Sequence, residues 1–361
     1  MLFLLAEGPL SIHRTDRKRR PGVSPVSSLK DVARLAEVST ATVSRVMNTP
    51  GVVDGGTLAR VRDAIRKLRY VPHGPARALR SQRSYTIAAV VPSFDYALYA
   101  RTTSALQREL DALGYALVLA AQHYDLRTEV RLTRALIERG AEAFMFVGLD
   151  HEPELYALLE QFRRPYVLAW GVDATGKHPS IGFANRAATA ALTEQVIALG
   201  HKHFAIITAP HEGNDRARER TAGVRAALAA RGLVLEESRI RYGSISLDSG
   251  RAAMHELLAL KPRPTAVIAT NDVFAVGAML ACREANVRIP HDVSITGVDN
   301  TDLGATQTPS LTSIRTPITE IGQAVAQHLA ARLEGKAVEQ KQELPFELVI
   351  RDSIGPAPGA K

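Results

Sequence analysis

The chain has 361 residues, 46% hydrophobic and 23% charged, with a formal net charge of +8 at pH 7. It is too long for one small core and too apolar for wholesale disorder; about 150 residues per domain suggests two or three units. The single cysteine, Cys282, excludes an intramolecular disulfide framework and a cysteine-rich zinc site, and fits a reducing cytoplasm.

The positive charge is concentrated at one end. Residues 1–85 hold 16 Lys/Arg and 6 Asp/Glu, whereas the remaining 276 hold 29 and 31. This points to a polyanion-binding head on a near-neutral body. The opening MLFLLAEGPL has a short apolar run, but the cluster Arg14, Arg17, Lys18, Arg19 and Arg20 follows it, the wrong way round for export. No stretch approaches the ~20 apolar residues of a membrane span. Residues 1–27 are expected to form a disordered basic tail.

Three short helices are expected next. Leu29, Val32, Ala33 and Ala36 fall on one helical face. After the break Glu37-Val38-Ser39, Ser39 or Thr40 can cap a second helix with Val43, Val46 and Met47 inward. Its outer face is Thr40, Ala41, Ser44, Arg45 and Asn48: small residues, hydroxyls, and one arginine long enough to reach a guanine edge. A third pattern, Leu58, Val61, Ile65 and Leu68, has Asp54 as N-cap and stops before Tyr70-Val71-Pro72. Two helices with a tight break and a third behind them make the helix-turn-helix layout.

The stretch LKDVARLAEVSTATVSRVMN, followed by ARVRDAIRKLRYVPHGPARALRSQRS, closely resembles the DNA-binding head and hinge of the lactose/galactose-repressor (LacI/GalR) family. The resemblance runs from about Ser28 to Ser353. It implies base contacts at Thr40, Ala41 and Arg45. It implies phosphate contacts at Leu29 (through the backbone), Ser39, Thr42, Ser44, Asn48 and Thr57. Glu37 stands where the family usually has glycine; a left-handed backbone there would cost roughly 1 kcal/mol. Gly55-Gly56 opens the third helix at roughly 1 kcal/mol each relative to alanine.

Residues 28–72 are thus expected to be the DNA-binding domain and 73–85 a hinge. The hinge helix, HGPARALR, is too short to be stable alone. In the family it folds only when two chains meet on the operator, which implies minor-groove contacts at Ala76, Arg77 and Leu79. Paired leucines there wedge between base steps and kink the duplex.

Beyond the hinge the pattern becomes strand–helix alternation. TIAAVVP (86–92), YALVLAA (115–121), AFMFVGL (143–149) and PYVLAW (165–170) read as buried strands. A second series follows at FAIITA (204–209), near 239–243, AVIAT (266–270) and DVSITGVD (292–299). Such alternation argues for parallel sheets with helices on both faces. Together with what the family resemblance implies, the expected fold class is a small all-α helix-turn-helix head plus an α/β two-lobed periplasmic-binding-protein-like body with doubly wound parallel sheets. The body is expected to span 86–353. One lobe would take about 86–183 and 316–342, the other about 184–313 and 343–353, with a disordered tail over 354–361.

Small ligands bind such folds beyond the carboxyl ends of the strands. Residues at those ends are Ser93, Phe94, Asp95, Tyr96 and Trp170 in one lobe, and Arg216, Arg220, Asn271, Asp272 and Asp299 in the other. The family's ligand arginine and aspartate match Arg220 and Asp299. A guanidinium, a carboxylate and a ring to stack on suit a polyhydroxyl ligand. The family's second acid is Asn300 here, so a sugar acid or related carboxylate is as admissible as a sugar.

Other readings fare worse. GVDATGKH (171–178) has P-loop spacing, but His178 and Pro179 replace the hydroxyl residue and the helix that must follow. His201-Lys202-His203 has no nearby third metal ligand and reads as a loop detail. A solute-binding protein without a DNA role fits the body but not the head. The expectation is a cytoplasmic, non-enzymatic transcriptional regulator, most simply a repressor, without cofactor or metal. It would bind a palindromic operator as a homodimer, under allosteric control by a small metabolite. No leucine-heptad extension follows the body, so a tetramer is not expected.

Overall fold

The computed structural model describes residues 27–71 and 83–359. The expected basic tail (all but its last residue) and the hinge residues Ala76, Arg77 and Leu79 lie outside the described residues. The chain divides into two units, residues 1–82 and 83–361.

The first unit is built from helices α1 (Leu29–Leu35), α2 (Thr40–Asn48) and α3 (Gly55–Lys67), with a 3₁₀ turn at Pro50–Val52. Each begins on a side-chain cap. Ser28 and Asp31 form a reciprocal capping box at α1, Ser39 accepts from the Thr42 N–H at 3.0 Å, and Asp54 accepts from the Thr57 N–H at 2.9 Å. Val32, Ala33, Ala36, Val43, Val46, Val61 and Ala64 form the core, with Met47, Leu58, Ile65 and Leu68 packed around it. The α1–α2 corner is a Schellman turn. The Glu37 N–H donates to the Arg34 carbonyl at 3.3 Å and the Val38 N–H to the Ala33 carbonyl at 3.0 Å. Glu37 occupies the left-handed position of that turn, at φ 53°.

The second unit has two lobes. In the first, β1 (Thr86–Val91), β2 (Ala116–Ala121), β3 (Ala143–Val147), β4 (Tyr166–Ala169), β5 (Ser180–Gly182) and β11 (Lys341–Glu343) form a parallel sheet in the order β11-β5-β4-β3-β1-β2. In the second, β6 (Phe204–Thr208), β7 (Ile240–Tyr242), β8 (Ala266–Ala269) and β9 (Ser294–Thr296) form a parallel sheet in the order β7-β6-β8-β9. An antiparallel ribbon of β10 (Ser313–Arg315) and β12 (Glu347–Val349) accompanies them. Helices α4 (Ala97–Ala112), α5 (Leu126–Glu138), α6 (Pro153–Gln161) and α12 (Ile318–Leu333) dress the first lobe. The second lobe carries α7 (Asn185–Ala198), α8 (Asp215–Ala230), α9 (Leu247–Leu258), α10 (Asp272–Glu284) and α11 (Asp302–Ala305). Phe183, Val298 and Ile314 join the first-lobe core, so the lobes share apolar contact where the chain passes between them.

Two expectations are corrected. The strand over 115–121 is not buried: β2 is an edge strand, with Val118 38% and Leu119 40% exposed, because it has a neighbour on one side only. The segment from residue 354 is not a loose tail at its start. Ile354 packs on the second-lobe core, the Gly355 carbonyl lies 3.0 Å from His201 Nε2, and the Ala357 N–H donates to the Leu199 carbonyl at 2.9 Å. His201, read as a loop detail, is the buried pin of that segment. It also bridges Thr265 and Ser294.

Candidate nucleic-acid interface and effector cleft

In the head, burial of Val43 and Val46 turns the opposite side of α2 outward. Thr40, Ala41 and Arg45 are exposed there, and Ser44 and Thr42 are half-buried beside them. Ser39 and Thr42 share a hydrogen bond between their hydroxyls at 2.9 Å, which fixes both at the start of α2. Leu29 is the first residue of α1, so its N–H is among the donors a helix cannot satisfy internally. Thr57 opens α3, and its hydroxyl accepts from Arg60 at 3.2 Å, placing a cation beside it. Asn48 is the last residue of α2.

In the second unit the carboxyl ends of the strands hold a polar cluster. Arg220, on α8, donates to Asn185 Oδ1 at 2.8 Å and to the Thr270 carbonyl at 2.7 Å, and lies 3.5 Å from Asp299. Asp299, past β9, accepts from the Tyr96 hydroxyl of the other lobe. Burial raises the Asp299 carboxyl to about 7, against the pull of Arg220; Asp272 adds to the rise. Arg216 is buried and reaches across to the Val147 carbonyl at 3.3 Å while paired with Asp215 at 2.7 Å. Burial opposes its charge, but Asp215, Tyr99 and Tyr124 outweigh it and raise the pKa above the ordinary arginine value. Trp170, after β4, is buried against Tyr99 with ring centroids 5.3 Å apart, and Tyr99 meets Tyr96 edge-on at 5.6 Å.

Gly148 makes this arrangement possible. A Cβ there would lie 2.0 Å from Arg216 Nη1 and 2.4 Å from Asp215 Oδ1, and its φ of +99° disfavours any side chain. Buried polar atoms at these strand ends without a protein hydrogen-bond partner include Arg216 Nη2, Trp170 Nε1, Gln122 Oε1, Thr296 Oγ1 and Asp299 Oδ1, the last in ion-pair range of Arg220 at 3.5 Å. Buried polar groups are normally satisfied, so such a cluster marks a place where an outside molecule completes the bonding.

Tyr96, Trp170, Arg216, Arg220 and Asp299 therefore come together as expected from sequence. Ser93 and Asp95 instead bond each other in a short turn, and Phe94 between them is 55% exposed. Asn271 caps α10 through its Oδ1, and both Asp272 oxygens are committed to Thr301 and Ser313 within the lobe. These two support the wall rather than offer free acceptor oxygens. Tyr99, Gln122, Asn185, Asp215 and Phe183, whose ring centroid lies 5.9 Å beneath the Arg220 guanidinium, were missed by the sequence reading. Gln122 and Asn185 each sit just past a strand, a position that could have flagged them.

Links between the lobes flank the cluster. Arg218 on α8 holds Asp150 with two bonds of 2.7 and 2.8 Å, and Arg101 on α4 pairs with Asp302 on α11. GVDATGKH forms a turn closed by Asp173, which accepts from the Thr175 and His178 N–H groups at 2.9 Å, and leads into β5 rather than a helix. Among the described residues no group of His, Cys, Asp or Glu could hold a metal, and no helix is long and apolar enough to cross a membrane.

Comparison with known proteins agrees with this geometry. Residues 28–73 match the model of bacterial regulatory proteins of the lacI family, and residues 193–354 that of the periplasmic binding protein-like domain. The chain is 31% identical over 339 residues to the HTH-type transcriptional repressor PurR of Pectobacterium carotovorum subsp. carotovorum (strain PC1), covering 92% of this chain and 98% of that one. It is similar to the lac repressor dimer bound to operator and the anti-inducer ONPF, with TM-score 0.81, 27% identity, and 91% and 98% of the two chains covered. It is also similar to the transcriptional regulator CelR in complex with cellobiose, with TM-score 0.68, 29% identity, and 91% and 99% covered. The chain belongs to the LacI family: it is a non-enzymatic, DNA-binding transcriptional repressor with a periplasmic-binding-protein-like effector domain.

Proposed function

We propose that this repressor binds a near-palindromic operator as a homodimer and releases or grips it in response to a small polyhydroxylated metabolite, a sugar, sugar acid or related carboxylate. α2 enters the major groove with Arg45 reading a guanine edge and Thr40 and Ala41 touching neighbouring bases. Leu29, Ser39, Thr42, Ser44, Asn48 and Thr57 hold phosphates. Ala76, Arg77 and Leu79 enter the minor groove. The effector sits at the strand ends against Tyr96, Trp170, Arg216, Arg220 and Asp299, with Ser93, Phe94 and Asp95 at the rim and Asn271 and Asp272 as supports. Its binding shifts the lobe arrangement, and with it the order of the hinges.

The observation that carries effector control is the set of buried, unpartnered polar atoms contributed by both lobes to one cluster. On the DNA side, Arg45→Ala is expected to cost about 1–3 kcal/mol on the operator and to relax preference at one base pair. Thr57→Ala is expected to weaken all sequences alike. Fluorescence anisotropy on operator and scrambled duplexes separates them. Equal losses for Arg45→Ala on both duplexes would remove its base-reading role.

A further inference from the structure

Arg216 is more than the ion pair across the cluster requires. Arg220 already faces Asp299, yet a second buried guanidinium stands nearby, neutralised by Asp215 and still holding Nη2 without a partner. Trp170, at the end of β4 beside Gly148, likewise holds a buried N–H with no acceptor, and its indole packs on Tyr99. Tyr99 and Tyr124 phenols face the same guanidinium. Two buried donors without acceptors, one of them cationic, thus flank Tyr99, and a carboxylate is the group that offers two acceptor oxygens to such a pair.

We propose that the corner formed by Arg216, Trp170 and Tyr99 is an anion seat, and that the effector is a hydroxy acid whose carboxylate accepts from Arg216 Nη2 and Trp170 Nε1. This rests on the reading of the cluster as the effector site and narrows it from polyhydroxyl compounds in general to their acids. The charge balance carries a further consequence. With Asp299 ionised, the pairs Arg216–Asp215 and Arg220–Asp299 are neutral, so an added carboxylate would leave a buried net negative charge. Asp299, raised to about 7, is the group placed to take up a proton from solvent. The other groups facing the site are otherwise committed. Asp272, bonded to Ser313 and Thr301, is raised by burial only to about 6 and so gives up its proton before Asp299, Asp215 is held by Arg216, and burial keeps Tyr96 and Tyr99 well above the ordinary phenol range. Acid binding is therefore coupled to uptake of one proton, and its affinity falls as pH rises above 7.

Trp170 is the single tryptophan of the chain, so its fluorescence reports directly on this corner. Full-length protein is titrated with D-gluconate, D-glucuronate and D-glycerate, and with D-glucose, sorbitol and glycerol, at pH 6.5 and 8.5. An acid is expected to bind at least tenfold tighter than its neutral counterpart, and to weaken by about tenfold per pH unit above 7. The paired variant Asp215→Asn/Arg216→Gln, neutral like the wild-type pair, is expected to lose the preference for acids. Arg216→Lys, which keeps the charge, is expected to retain the preference at lower affinity. Neutral compounds binding as tightly as acids, no response of Trp170 to any acid, or pH-independent acid affinity would each overturn the anion seat. A neutral polyol that binds and alters operator affinity would leave the cleft reading standing. An effector response unchanged in Arg220→Ala would remove the cleft reading itself.

Discussion

Glu37 shows how one side chain can work against its own backbone. The Schellman turn that joins α1 to α2 needs a left-handed residue, and glycine adopts that conformation without a Cβ penalty. Glu37→Gly is expected to stabilise the head by about 1 kcal/mol and to strengthen operator binding by removing a carboxylate near phosphate. Thermal unfolding of the isolated residues 28–71 and operator titration check this; a loss of stability would refute the strain. Asp299 is the corresponding case in the cleft. Its carboxyl rises from 3.8 to about 7 on burial, so the folded state holds the proton more tightly than the unfolded chain. Stability from this group is complete below pH 3.8 and lost as pH rises through about 7. Asp299→Asn removes that penalty, at most roughly 4 kcal/mol, a figure already net of the pull of Arg220. The variant is expected to melt about 2 °C or more above wild type at pH 8. The difference should vanish near pH 4, and a difference independent of pH would contradict the assignment.

At the scale of elements, what could be read in advance depended on periodicity. The head helices were legible because each buries a 3.6-residue stripe and starts on a short polar cap: Ser39 and Asp54 cap as their positions suggested. The Ser28–Asp31 capping box was not foreseen, nor was the 3₁₀ turn at Pro50–Val52, since neither leaves an apolar period. The strands β1, β3, β4, β6 and β8 were legible as short apolar runs. Such a run cannot distinguish centre from edge, and β2 proved to be an edge. The cleft was half legible. Arg220 and Asp299 came from family likeness and Trp170 from its place after a strand. Tyr99, Asn185 and Asp215 act through contacts between distant segments that one sequence does not display. The hinge element carries its own prediction. On the proposed reading the hinge, residues 73–85, orders only on the operator, where Leu79 would act as the wedge. Leu79→Ala is expected to weaken operator binding at least tenfold in gel-shift titrations and to leave effector affinity unchanged. Unaltered operator affinity would end its role.

At the scale of the whole molecule, the lobes are tied at several points around one cluster. Tyr96 meets Asp299, Arg216 reaches Val147, and Arg218 holds Asp150. Two are hydrogen bonds, one part-buried and one buried, and the third is a partly exposed bidentate pair, each worth on the order of 1 kcal/mol, so on the proposed reading a ligand that completes the buried polar atoms can decide which lobe arrangement prevails. The proposed control of DNA by the cleft would then reduce to a coupling free energy of about 1–3 kcal/mol, felt equally in both directions. The most direct test is operator affinity of the full-length protein with and without a metabolite selected by thermal shift, in wild type and in Arg220→Ala. The account predicts at least a fivefold change in wild type, none in Arg220→Ala, and the same fold-change in metabolite affinity when operator is added first. A metabolite that binds the cleft tightly while operator affinity stays constant would contradict it.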